Sequence, residues 1–152
     1  ASTWTRSTST VLMGQPVPDP AKPTGSLAAV PNTSVLALRG ATTLDVDDRD
    51  HLLERVQELL TEMFEANGTA NDDLPSILLT APDDVHSAFP ALAARKLGMG
   101  DVPLICAREL DIVRAKQRCI RVMVHFNSQR SRSELHHIYL QDARDLRDDL
   151  PQ

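Results

Sequence analysis

From Asp45 to Gly68 the chain reads DVDDRDHLLERVQELLTEMFEANG. Leu52, Leu53, Val56, Leu59, Leu60, Met63 and Phe64 fall at i, i+1, i+4, i+7, i+8, i+11 and i+12, one apolar stripe of a long helix. Asp47 and Asp48 supply an N-cap and a favourable negative charge at the start, and Asn67-Gly68 closes the end. A helix with one apolar stripe needs a partner layer, and the flanking segments read as strands.

Val35 to Leu38 is a short strand that Arg39-Gly40 ends, and Ile77 to Thr80 is a second, stopped by Pro82. FPALAARKLG is a second helix, with Pro90 in its first turn and Gly98 at its close. DVPLICARE is a third strand and CIRVMVHF, from Cys119 to Phe126, a fourth and central one. SRSELHHIYL reads as a short helix capped by Ser131 or Ser133. The last piece is ambiguous: Leu140, Ala143, Leu146 and Leu150 suit a helical period, but a final strand fits as well. The order predicts an α/β (α+β) fold, a mixed β-sheet with helices on one face.

The 152 residues suggest one folded domain, over 34–152. Residues 1–33 hold five of the ten prolines, ten Ser/Thr residues and the single acid Asp19, and read as a disordered tail that buries too little to offset its ordering entropy. The net charge of −5 argues against nucleic acid as a partner. It leaves room for a small anion, since a few arginines can build a positive pocket on an acidic protein. No stretch approaches the ~20 apolar residues that span a bilayer, and the start lacks the apolar middle of a secretory signal. With two cysteines, Cys106 and Cys119, in apolar runs and no metal-ligand spacing, the expectation is a reduced, cytoplasmic protein without a metal site.

Arg121 stands out inside the fourth strand, a permanent cation in an apolar run. An unpaired buried charge is costly, so it needs an anion. Taken alone, it is best read as paired with a nearby carboxylate such as Glu109.

LRGATT at 38–43, APDDVHSAFPALAAR at 81–95, VPLICARELD at 102–111, CIRVMVHF at 119–126 and HIYLQDARDLRDDL at 137–150 follow in order. Together they resemble the monofunctional chorismate mutases of the AroH class, in register from about Ser34 to Leu150. The resemblance implies a homotrimeric pseudo-barrel with clefts between subunits. It also implies the cofactor-free [3,3] rearrangement of chorismate to prephenate, on the route to phenylalanine and tyrosine, and it turns the ambiguous last segment into a strand.

The resemblance also assigns roles. Arg121 reaches the ether oxygen and a nearby carboxylate, and Arg39 of RGATT binds a carboxylate. Glu109 and the backbone near Cys106 hold the substrate hydroxyl. Tyr139 offers its O–H to a carboxylate, Phe89 walls the cleft, and Arg95 and Arg147 stand at its entrance. Read without the family, Cys106 and Phe89 are core residues, Tyr139 an amphipathic core edge, and the peripheral arginines solvated. Two positions depart from the pattern: Leu92 replaces a lysine, and Ile105 replaces a smaller polar residue.

Asp83, Asp84 and His86 read as turn and cap residues, His136 and His137 diverge too far on a helix to share one ion, and His125 is structural. The alternative to an enzyme is a non-catalytic trimer of the same fold that binds a small carboxylate or regulates, for which Leu92 and Ile105 leave room.

Overall fold

A computed structural model of the chain describes residues 33–147, so the tail reading and Leu150 lie outside the described residues. Five strands form one mixed sheet: β1 (Ser34–Thr43), β2 (Ser76–Ala81), β3 (Leu104–Arg108), β4 (Cys119–Ser128) and β5 (Ile138–Tyr139). Their order is β3-β2-β4-β1-β5, which puts β4 at the centre. It runs antiparallel to β1 and β2, while β2–β3 and β1–β5 are parallel. Helices α1 (Arg49–Asn67) and α2 (Ala91–Lys96) pack on one face.

Successive strand residues point to opposite faces. Leu38, Ile77, Leu79, Ile120, Val122 and Val124 turn toward α1 and form the core with Leu52, Leu53, Val56, Leu59, Leu60 and Met63. The other face, not covered by α1 or α2, carries Arg39, Ala41, Leu78, Thr80, Arg121 and Met123, a division that creates the site.

The caps of α1 are as the sequence predicts, with one exchange. Asp48 accepts from the N–H groups of Asp50 and His51, and Gly68 takes φ +57° in the left-handed region. Asp47 instead reaches across to the loop before α2, accepting from His86 N–H at 2.8 Å and Ser87 N–H at 3.2 Å.

Several boundaries move. β1 does not stop at Arg39-Gly40; ten residue pairs with β4 carry it to Thr43. Gly40 is required there by close packing, since a Cβ would sit 2.4 Å from the Met63 sulfur. Pro90 is the N-cap residue of α2, one place before its first turn. The helix expected around Ser131 is a single 3-10 turn, Arg132–Glu134, fixed by the Glu134 carboxylate accepting from the Ser131 N–H and hydroxyl.

The last segment is a strand for only two residues and then a 3-10 helix, Gln141–Arg147. Gln141 at φ +51° breaks the extension. Leu140, just before this helix, packs in the main core, while Ala143 and Leu146, three residues apart, share one side of the 3-10 helix. Ala143 and Leu146 pack there with Ala41, Cys119 and Tyr139.

Candidate active site

The central strand places Arg121 between Ala41 of β1 and Thr80 of β2, its partners across the sheet. Around it opens a cavity of about 360 Å3, lined by Arg39, Thr80, Glu109, Arg121, Tyr139 and Arg147 among others. Three guanidinium groups and a phenol thus face one space with a single carboxylate, a composition suited to an anion with more than one negative group.

Glu109 is held at three points. Its N–H donates to Ala81 O at 3.0 Å, extending the β2–β3 pairing by one rung. Its Oε1 accepts from the Thr80 hydroxyl, and its Oε2 lies 3.0 Å from Arg121 Nη1. The carboxylate reading of Arg121 is therefore realised, at the wall of the cavity rather than in the core. A guanidinium carries five N–H donors, so one contact leaves capacity for another ligand.

Arg39 is exposed at its side chain and anchored at its backbone: its N–H donates to His137 Nδ1 at 3.1 Å. Burial first, then the charges of Arg39 and Arg147, holds the His137 pKa below its ordinary value. The ring is kept neutral, as an accepting Nδ1 requires. Burial also pushes the Cys119 thiol up, so this cysteine is an inert core residue.

Phe89, Arg95 and Cys106 do not reach this cavity. They line a second cleft of about 740 Å3, with Leu92, on the helix side of the sheet edge. Cys106 faces the helices because it alternates with Ile105, which is 62% exposed on the other side of β3. Phe89, expected either as a cleft wall or as core, is 77% exposed. The eight residues expected at the site thus divide five and three between two cavities of one protomer.

Thr80 and His137 were not expected at the site. No local pattern marks Thr80, whose importance comes from a strand neighbour over 40 positions away. His137 precedes Tyr139 by two in an extended segment, which would have placed it beside the site had that segment been read as a strand from its start. His125 bonds Ser76 across the sheet, Asp83 pairs with Arg108, and Asp84 accepts from the Arg118 N–H, so each has a structural partner.

The chain matches the family model for chorismate mutase type I over residues 35–150. The chain belongs to the chorismate mutase type I family. It is 39% identical over 117 residues to chorismate mutase AroH of Thermus thermophilus, covering 76% of this chain and 96% of the relative. To chorismate mutase AroH of Bacillus subtilis (strain 168) it is 36% identical over 117 residues, covering 76% and 92%. The solved structure of a chorismate mutase from Clostridium thermocellum superposes with a TM-score of 0.71 at 40% identity, over 72% of this chain and 98% of that one. The protein is accordingly a chorismate mutase, an isomerase of aromatic amino acid biosynthesis, and the non-catalytic alternative is not favoured. Among the described residues, no helix is long and apolar enough to cross a membrane.

Proposed function

We propose that chorismate binds in the cavity around Arg121 and that a neighbouring copy of the chain, in a homotrimer, completes the site with its Phe89, Arg95 and Cys106 cleft. The division of the eight residues between two cavities supports this reading, as does the exposure of Phe89 and Ile105 at one sheet edge. Two half-sites on one protomer become one whole site when edges meet around a closed ring. The free thiols of Cys106 and Cys119 fit a cytoplasmic enzyme.

In the rearrangement the ether C–O bond breaks as a C–C bond forms. No proton moves and no covalent intermediate forms, so the chain has to hold a compact, chair-like conformer and stabilise charge growing on the ether oxygen. Arg121 donates to that oxygen and to a nearby carboxylate. Glu109 accepts from the substrate hydroxyl, and the backbone near Cys106 of the neighbouring copy helps to hold it. Arg39 and Tyr139 bind a carboxylate, Phe89 walls the ring, and Arg95 and Arg147 stand at the entrance.

Magnitudes support this division of labour. A rate gain of ~10⁶ needs about 8 kcal/mol. One aimed donor at a developing oxyanion contributes roughly 3–4 kcal/mol, and orientation adds several more. The pairing of Arg121 with Glu109 is the observation that carries the proposal, because it fixes the guanidinium at the cavity wall before substrate arrives. The test is loss of chorismate absorbance with purified protein, alongside light scattering on a sizing column. Absence of turnover, or an active monomer, would overturn it.

A further inference from the structure

β1 and β5 pair through only two residue pairs, Gly40 with Ile138 and Ala41 with Tyr139. The Arg39 N–H lies one position before this short ladder, where the main chain of β5 has not yet begun. The half-buried ring of His137 fills the gap, accepting that N–H at Nδ1. A side chain thereby extends the ladder by one rung, at the residue whose guanidinium lines the cavity. His137 itself does not line the cavity.

We propose that His137 is a positioning residue for the substrate: through its bond to the Arg39 backbone it fixes the direction in which the Arg39 guanidinium leaves the strand. The inference rests on the reading of this cavity as the chorismate site. Without the ring acceptor, the Arg39 N–H turns to water, the edge of β1 loosens, and the guanidinium samples several directions. The carboxylate that Arg39 binds is charged in the substrate and remains so through the rearrangement. The loss falls on binding common to ground and transition states, so KM rises while kcat holds.

His137→Phe keeps the ring and removes the acceptor; His137→Asn returns an oxygen near the place of Nδ1. The phenylalanine variant should raise KM for chorismate by up to about tenfold, the loss expected when one internal hydrogen bond behind a binding residue is exchanged for one to water, with kcat within about twofold. The asparagine variant should recover most of the affinity. In an Arg39→Ala background, His137→Phe should change KM by less than about twofold, since residues acting through one contact are not additive. In the wild type, hydrogen exchange should find the Arg39 amide protected. An unchanged KM in His137→Phe overturns the inference, as does a fall in kcat at constant KM, the mark of a merely smaller folded fraction. An effect as large in the Arg39→Ala background, or a freely exchanging Arg39 amide, overturns it equally. These results leave the site reading intact. A wild-type protein that does not convert chorismate removes that reading and this inference with it.

Discussion

Arg121 Nη1 lies 3.0 Å from Glu109 Oε2, and both side chains line the same cavity. The two roles open to Arg121, paired cation and substrate donor, are therefore compatible. With its side chain 36% exposed, the guanidinium avoids the full cost of a buried charge, and its partner holds it in one direction. A donor fixed before reaction costs no reorganisation when charge develops.

Removing that donor is the most damaging single change expected. Arg121→Ala should lower kcat by at least ~100-fold in the chorismate assay, with an unchanged elution volume. Normal turnover in the variant would sink the assigned role.

Thr80 acts one step further out. Its hydroxyl donates to Glu109 Oε1 and leaves Oε2 for Arg121. Thr80→Val keeps the shape and removes the donor, and should lower kcat/KM by roughly tenfold, less than Arg121→Ala, as one lost hydrogen bond to a charged group implies. Steady-state kinetics on both variants gives the ranking; the reverse order would discard this account.

Asp47 gives a pH dependence. Ser87 beside it, together with the His86 and Ser87 N–H groups that donate to it, holds its carboxyl below the ordinary value against the opposing effect of burial. A depressed carboxyl pKa contributes stability that is present above the unfolded value of about 3.9 and is lost as pH falls through the folded value. Asp47→Ala should therefore lower Tm at pH 7, and the gap from wild type should close under strongly acidic conditions. A gap that stays constant across that range would exclude the linkage.

Leu92 lines the second cleft beside Arg95, where the family resemblance leads one to expect lysine. Leu92→Lys should lower KM for chorismate by about 2–5-fold at low salt, the size of one solvated charge contact, with kcat unchanged. Raising ionic strength should erase the gain. An unaltered KM at low salt would mean that position 92 does not face the substrate.

Local pattern determined a good deal of this protein. The stripe from Leu52 to Phe64 fixes α1, and its caps Asp48 and Gly68 follow from elementary backbone chemistry. Alternation along β4 puts Arg121, Met123 and His125 on one face, and the ordered motifs carry the family resemblance. Tertiary structure decided what meets what. Strand order seats β4 between β1 and β2, so Arg121 acquires Ala41 and Thr80 as neighbours from 80 and 41 positions away in sequence. The same pairing carries β1 past Gly40, and packing against Ala41 winds the last segment into a 3-10 helix after two residues of strand. The division of the expected residues between two cavities was equally invisible. Periodicity reports which way a side chain points from its own element; which element lies opposite depends on burial and pairing summed over the whole chain.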